Sequence, residues 1–204
     1  MMEQNRESSR RVCELSLKQI KAIYENDMQR DFPADELKPF SALKRMYEAG
    51  IYLGLGYWDG ERLLAYAMYV KTPDGKQLLL DYYAVLPEER NQGTGSRFLQ
   101  EMYVWLQDAE MILGEVENPD FAENAGEKEI RTHRIGFYRR NGFLLIGPEL
   151  TCCLFGVEFR IIVKALSVQE EEAAAQAGKW LETIYHLMFP AELFGKQVLV
   201  KKLQ

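Results

Sequence analysis

The chain has 204 residues, of which 47% are apolar and 27% are charged, and its formal net charge at pH 7 is −6. This length suits one domain with modest extensions, and the sequence contains no apolar run of the ~18 residues that a membrane span needs. The acidic balance disfavours nucleic acid as a partner and favours a cationic or neutral one.

The cysteines and the amino terminus predict a cytoplasmic protein without a metal site. Cys13, Cys152 and Cys153 fit neither a disulfide framework nor zinc-ligand spacing. Residues 1–6 lack the apolar segment of a secretory signal peptide. We therefore expect a reducing compartment and no bound metal ion.

The amino-terminal segment predicts a pair of helices over residues 10–49. Apolar residues recur at helical spacing across residues 10–29. The segment at residues 31–37 interrupts that spacing, and Pro33 stands where a second helix can start and continue to about residue 49.

Three strand-like runs follow, at residues 51–58, 62–70 and 78–86. Asp59-Gly60 separates the first two, and Pro73-Asp74-Gly75 separates the last two. Asp-Gly between apolar runs is a strong hairpin signal. The three runs therefore predict an antiparallel meander.

A loop with two glycines leads from the third strand into a helix predicted over residues 97–106. Backbone N–H groups in such a loop and in the first helical turn lack partners and point at one spot, which suits an anion. Gly93 and Gly95 carry no Cβ that would keep a phosphate away. A strand-to-helix turn that needs glycine only for its geometry explains the same residues.

Two familiar nucleotide-binding motifs are excluded at this loop. No Gly-Lys-Ser or Gly-Lys-Thr is present, so the loop is not a P-loop. Phe98 stands where the third glycine of a dinucleotide-binding fingerprint would be.

The second half of the chain predicts alternating strands and helices. Residues 111–116 predict a strand parallel to residues 78–86, reached by a crossover. A longer polar loop is expected at residues 120–129, before a helix that ends at a C-cap glycine, Gly142. The remaining predicted elements are strands at residues 143–155 and 157–166 around Gly156, a helix at 170–188 and a strand at 198–200.

Two segments together resemble the GNAT superfamily of N-acetyltransferases. They are Val85-x-Pro87-x-x-Arg90-x-x-Gly93-x-Gly95 and Phe137-Tyr138-x-x-x-Gly142-Phe143, and their order and separation match the family. The resemblance covers roughly residues 51–165. It implies an α/β fold in which helices flank a mixed central sheet, with an antiparallel meander and splayed parallel strands.

The same resemblance implies one GNAT acyltransferase domain over residues 1–204, with a core at about 51–165. The helical pair at 10–49 would border the acceptor groove. The extension at 167–204 would either pack on its own chain, which we favour, or form a dimer contact.

Acetyl-CoA, or another acyl-CoA, is the donor that the resemblance implies. The strand at residues 83–86 would pair with the pantetheine arm, and the loop at 90–96 would hold the pyrophosphate. The candidate donor-binding residues are therefore Tyr83, Ala84, Val85, Leu86, Arg90, Asn91, Gln92, Gly93, Thr94, Gly95 and Ser96.

Direct transfer to an amine needs an unprotonated nucleophile, donors for the oxyanion and a proton for the leaving thiolate. Tyr138, at the family's tyrosine position, is the candidate general acid, although an aromatic packing role also explains it. The candidate bases are Asp81, Glu115 and Glu117, which could instead be solvated charges at strand ends. No cysteine lies near the motifs, so the sequence predicts sequential transfer without a covalent intermediate.

The predicted function is therefore N-acylation of a primary amine on a small molecule or peptide, by a monomer or homodimer. Transfer of a longer acyl group stays open. The alternative is a catalytically silent CoA-binding module with a regulatory or interaction role.

Overall fold

The computed structural model describes residues 10–34 and 36–202. Residues 1–6, for which the sequence predicts no signal peptide, lie outside this range, and so does Asp35 within the predicted helical pair. The described chain forms two compact units, the first comprising residues up to Tyr69 with Tyr82–Trp105 and the second Val70–Asp81 with the residues from Leu106 onward. Strands β3 (Arg62–Lys71) and β4 (Gln77–Val85) contribute residues to both.

The first unit contains the meander that the sequence predicts. Strand β2 (Tyr52–Asp59) joins β3 through a turn at Gly60, whose φ of 61° suits glycine. Strand β1 (Arg10–Glu14) pairs antiparallel with β2, and the hydrogen-bonded order in this unit is β1-β2-β3-β4. Strands β2 and β3 are buried on both faces along most of their length.

The helix predicted to begin at residue 10 is wrong at its start. Residues Arg10–Glu14 pair with β2 in register from Arg10 opposite Asp59 to Glu14 opposite Leu55. Backbone hydrogen bonds to a neighbouring strand thus override the helical spacing of the apolar residues. Helix α1 (Leu17–Ile23) begins only after Ser16.

The start of the second predicted helix is also wrong. Helix α1 continues through a π-helical segment (Tyr24–Met28) into the short α2 (Gln29–Asp31), and α3 (Phe40–Glu48) begins after Pro39, not at Pro33. The Tyr82 hydroxyl holds the connection as a loop, because it accepts the Lys38 N–H at 3.0 Å and donates to the Glu36 carbonyl at 3.0 Å.

Ser16→Ala is expected to lower the free energy of unfolding by about 1 kcal/mol. The Ser16 hydroxyl accepts the Gln19 N–H, and the Gln19 side chain accepts the Ser16 N–H, which is a complete capping box. Urea denaturation measures the change. Thr183→Ala, which removes a hydroxyl that donates to the Lys179 carbonyl in the carboxy-terminal helix, is the control. An equal loss in both variants would contradict a capping role for Ser16.

The second unit contains the parallel part of the mixed sheet. Strand β5 (Met111–Glu117) follows α4 (Thr94–Trp105) and runs parallel to β4, in register from Gln77 opposite Met111 to Leu80 opposite Gly114. The order in this unit is β4-β5-β8-β7-β9, with all later neighbours antiparallel and β6 paired to β8. The bounds are β6 (Leu144–Leu145), β7 (Leu150–Leu154), β8 (Val157–Ala165) and β9 (Val198–Lys202). The predicted α/β fold with a mixed sheet is confirmed.

Two predicted boundaries in this unit are wrong. The polar loop at residues 120–129 is shorter, because a 3₁₀ turn occupies Pro119–Phe121 and α5 (Ala125–Arg140) starts after Asn124, whose side chain accepts the Glu127 N–H. The strand predicted at 143–155 is split between β6 and β7 around Gly147-Pro148, since proline has no N–H for a sheet ladder. The predicted C-cap Gly142 is present, with φ of 86°.

The carboxy-terminal extension packs against the rest of its own unit. Helix α6 (Glu170–Met188) has the predicted bounds, and its buried face packs against β8, β5 and β9. Strand β9 pairs with β7 from Val198 opposite Leu154 to Lys202 opposite Leu150. Among the described helices, none combines the length and apolarity that crossing a membrane requires.

Candidate functional site

The connection from β4 to α4 presents unsatisfied backbone donors at a helix start. After a 3₁₀ turn at Pro87–Glu89, the first helical hydrogen bond of α4 runs from the Arg97 N–H to the Gly93 carbonyl at 3.1 Å. Within the described chain, the N–H groups of Gly95 and Ser96 meet no backbone acceptor. Such groups at a helix amino terminus attract an anion.

Gly93 gives this loop both its conformation and its open space. Its φ of 77° lies in the left-handed region that side chains other than glycine rarely adopt. A Cβ built at Gly93 would meet no atom within 4 Å. The space beside this residue is therefore free for a ligand, and a side chain there would enter it.

The buried carboxylate of Glu89 connects the loop between β4 and α4 to neighbouring elements. Glu89 is only 5% exposed, and it accepts the Arg62 Nη1 at 2.7 Å and the Thr94 hydroxyl at 3.4 Å. Arg10 Nη2 lies 4.0 Å from the same carboxylate. Glu89 therefore ties the loop to β1, β3 and α4. No local pattern in the sequence indicates which way the Glu89 side chain points.

Arg90, a candidate pyrophosphate ligand, is engaged within the protein. Its Nε donates to the Val85 carbonyl at 2.9 Å, and its Nη2 donates to Asp31 Oδ1 at 2.8 Å. The Asp31 side chain is 3% exposed and also accepts the Tyr66 hydroxyl at 2.9 Å. Arg90 thus links the loop to α2. No local pattern in the sequence links Asp31 to Arg90, because the two residues lie 59 positions apart.

The end of β4 pairs with β3 along one edge. The Leu86 N–H donates to the Leu64 carbonyl of β3 at 2.9 Å. Backbone groups alternate sides along an antiparallel strand, so Ala84 also faces β3, whereas Tyr83 and Val85 face away from it. Of the predicted pantetheine contacts, Tyr83 and Val85 therefore lie on the edge away from β3.

Tyr83 connects this strand end to the loop. Its hydroxyl donates to the Gly95 carbonyl at 2.7 Å, and its ring stacks on Phe98 with centroids 5.6 Å apart. The Gln92 side chain donates to the Glu88 carbonyl at 2.7 Å. All the predicted donor-binding residues belong to the first unit.

The candidate catalytic residues all belong to the second unit. Asp81 and Glu115 are the first residues beyond Leu80 and Gly114, the last paired residues of β4 and β5. Both are partly exposed, and so is Glu117 at the end of β5. These three carboxylates therefore lie at or beyond the point where the parallel pairing ends.

Glu117 takes part in an ion-pair network with α5. Arg131 Nη2 lies 3.3 Å from Glu117 Oε1, and Arg134 donates to Oε2. Arg131 is buried and also pairs with Glu127 at 2.5 Å. Two guanidinium groups therefore contact the two oxygens of this carboxylate.

Glu115 accepts a hydrogen bond from the hydroxyl of Tyr185 on α6. Tyr185 is 0% exposed, and the same hydroxyl lies 3.2 Å from Cys152 Sγ. Burial, then the neighbouring Glu115 charge, raise the pKa of Tyr185 well above its usual value, so the phenol is a neutral donor. Burial also raises the pKa of the Cys152 thiol, which disfavours a reactive thiolate.

Tyr138 lies in the last turn of α5, 9% exposed, within an aromatic cluster. Its ring meets Phe137 and Phe143 edge-on, with centroids 5.3 and 5.2 Å away. Burial raises the pKa of Tyr138 to about 12, against a smaller opposing effect of Arg134. Its phenol therefore carries a proton at neutral pH, as a general acid must.

No group of three or more His, Cys, Asp or Glu side chains among the described residues is arranged to hold a metal ion.

Solved structures of acetyltransferases share this fold. One is a protein from Bacteroides thetaiotaomicron described as a GNAT-family acetyltransferase, with a TM-score of 0.68 and 19% identity over 87% of this chain and 97% of that one. Another is the ribosomal-protein-S18-alanine N-acetyltransferase of Escherichia coli, with a TM-score of 0.56 and 18% identity over 79% and 97%. A third is the spermidine N-acetyltransferase of Vibrio cholerae in complex with CoA and spermine, with a TM-score of 0.56 and 10% identity over 78% and 97%.

Two comparisons of the sequence with known proteins gave different outcomes. Comparison with curated protein sequences finds no match. A sequence profile of the acetyltransferase (GNAT) family matches residues 17–143, which is more than half of the chain and includes both motifs. The chain therefore belongs to the GNAT family of acetyltransferases.

Proposed function

We propose that this chain is an acyl-CoA-dependent N-acyltransferase that moves an acetyl group from acetyl-CoA to a primary amine of a small molecule or peptide. The observation that carries the proposal is the start of α4, where the N–H groups of Gly95 and Ser96 meet no backbone acceptor in the described chain. The open space at Gly93 adjoins them in the sequence. A pyrophosphate would satisfy these donors.

The similar structures support an amine as the acceptor. One relative is named for spermidine and was solved with CoA and spermine, and another is named for the alanine of a ribosomal protein. Each of these named acceptors presents an amine nitrogen. The acidic charge of this chain, −6, also suits a cationic acceptor.

We propose direct transfer in a sequential mechanism. A carboxylate takes a proton from the acceptor ammonium, so that one N–H bond breaks and one O–H bond forms. The amine lone pair attacks the thioester carbonyl and forms the new C–N bond, and the C–S bond then breaks so that the sulfur leaves as a thiolate. The nitrogen releases its second proton to solvent, which leaves a neutral amide. Tyr138 donates its phenolic proton toward that sulfur.

Among the three carboxylates, Glu115 is our first choice of base. Both oxygens of Glu117 have arginine partners at α5, which favours an ion-pairing role for it. Glu115 has a neutral phenol as a donor and is partly exposed. Asp81, at the matching place on β4, remains the second candidate.

Acetyl-CoA is expected to stabilise the folded chain, since it binds the native state and not the unfolded one. At about 100 times its dissociation constant it should add about 2.7 kcal/mol to the free energy of unfolding. Thermal denaturation with acetyl-CoA, CoA and, as a control, inorganic pyrophosphate measures this effect. An unchanged melting temperature with millimolar acetyl-CoA and CoA would contradict the assignment of acetyl-CoA as the acyl donor.

A catalytically silent CoA-binding module would also be stabilised by acetyl-CoA, so an activity assay must distinguish it from an enzyme. In that case acetyl-CoA would stabilise the chain, but no amine in a broad panel would be acetylated. Tyr138, at the family's tyrosine position, favours the enzyme over the silent module.

A further inference from the structure

Tyr185 comes from a part of the chain that the GNAT profile does not cover. The profile ends at residue 143, whereas Tyr185 lies near the end of α6. Its hydroxyl nevertheless donates to Glu115 on β5, within the matched segment. The carboxy-terminal extension thus supplies a hydrogen bond to a residue at the edge of the parallel pairing.

The surroundings of Tyr185 hold its phenol in place. The side chain is completely buried, and its ring meets Phe189 edge-on with centroids 5.7 Å apart. Cys152 Sγ lies 3.2 Å from the hydroxyl, and Cys152 is itself buried in β7. A fixed phenol therefore restrains the carboxylate to which it donates, because moving that carboxylate would leave the buried donor only the weakly accepting Cys152 sulfur as a partner.

We propose that Tyr185 is a positioning residue for Glu115, and that it orients the carboxylate which binds the acceptor ammonium and takes its proton. The inference rests on the proposed function. This role also restricts the acceptor to amines that are protonated in solution. A neutral nucleophile carries no positive charge for the carboxylate to bind and no ammonium proton for it to remove. In this arrangement Tyr185 keeps its own proton throughout.

Tyr185→Phe keeps the ring and its packing but removes the donor. We expect turnover with saturating acetyl-CoA and acceptor to fall ~10-fold to 100-fold, the range for losing a hydrogen bond to a charged group. The dissociation constant of CoA should stay unchanged. Rates are divided by the concentration of CoA-binding sites measured by calorimetry, so that unfolded protein does not count.

The matched control is Tyr57→Phe. The Tyr57 hydroxyl donates to Glu101 at 2.7 Å, which makes it a second buried tyrosine with a glutamate acceptor. The turnover of the Tyr57→Phe chain should remain within about twofold of the wild-type value. An equal loss of turnover in both variants would show that removing either buried tyrosine hydroxyl lowers activity. This result would overturn the inference.

A double-variant cycle separates positioning from general structural damage. If Tyr185 acts through Glu115, Tyr185→Phe should change turnover less than about twofold in a Glu115→Gln background. Independent, multiplicative losses would overturn the inference while leaving the proposed function intact. A wild-type chain that binds acetyl-CoA but acetylates no amine would overturn both.

Discussion

Gly93→Val is expected to abolish CoA binding while the chain remains folded. A Cβ at Gly93 points into space that is empty of protein atoms within 4 Å, so the new side chain would occupy the volume we assign to the pyrophosphate. Valine also adopts the required φ of 77° poorly, which would distort the loop and turn its N–H groups away from the ligand. Gly95→Val, one residue into α4, should have the same effect on binding.

Gly75→Val controls for the backbone strain. Gly75 has a φ of 73°, and a Cβ there also meets nothing within 4 Å, but it lies in the turn between β3 and β4. The penalty for a left-handed valine, about 1–2 kcal/mol or somewhat more, should be similar at both positions. Calorimetry should therefore show CoA binding by the Gly75 variant alone. Retained affinity in a folded Gly93→Val chain would show that the loop is only a turn.

Tyr138→Phe is expected to reduce turnover while acetyl-CoA affinity stays near the wild-type value. The change keeps the ring between Phe137 and Phe143 and removes only the proton donor. An interaction made mainly in the transition state lowers kcat and kcat/KM together. General acid catalysis contributes ~10²-fold to 10⁴-fold.

The pKa of Tyr138 places the expected loss at the lower end of that range. Its value of about 12 exceeds the ordinary thiol pKa of about 8.5, so complete proton transfer to a thiolate is unfavourable in the unliganded protein. A hydrogen bond to the developing thiolate is then the main contribution, and a loss of ~10²-fold is expected. Because the phenol loses its proton only near pH 12, turnover should not fall between pH 7 and about pH 10 for lack of this acid.

Tyr69→Phe is the control for Tyr138→Phe. Tyr69 is completely buried, and its hydroxyl lies 3.2 Å from Met102 Sδ. Its loss should leave turnover within about twofold of wild type. A Tyr138→Phe chain with the same small change would remove Tyr138 from the mechanism, whereas a joint fall in CoA affinity and melting temperature would favour a packing role.

Local signals in the sequence predicted most elements of the fold. Helix α6 and the hairpin at Gly60 follow from apolar spacing and turn residues, both of which act over a few positions. The amino-terminal strand β1 did not follow in the same way. Its helical spacing is real, but its pairing partner β2 begins only at Tyr52, and no local pattern indicates that contact.

The candidate site likewise contains residues that local motifs predict and partner residues that they do not predict. The motif at residues 90–95 and Tyr138 could be found in the sequence because each belongs to a short local pattern, and both lie within the segment that the family profile matches. The partners that fix these residues are distant in sequence: Asp31 lies 59 positions from Arg90, and Tyr185 lies 70 positions from Glu115. Which side chain meets which depends on tertiary packing, so these contacts could be found only in the structure.

The most direct test of the central claim is a mass spectrum of primary amines incubated with acetyl-CoA and the wild-type chain. The panel should contain polyamines, amino acids and peptides with free amino termini, with a heat-denatured chain as the blank. We expect at least one amine to gain a single acetyl group, with release of an equal amount of CoA thiol. Binding of acetyl-CoA without any acetylated amine would contradict the claim and identify the chain as a silent CoA-binding module.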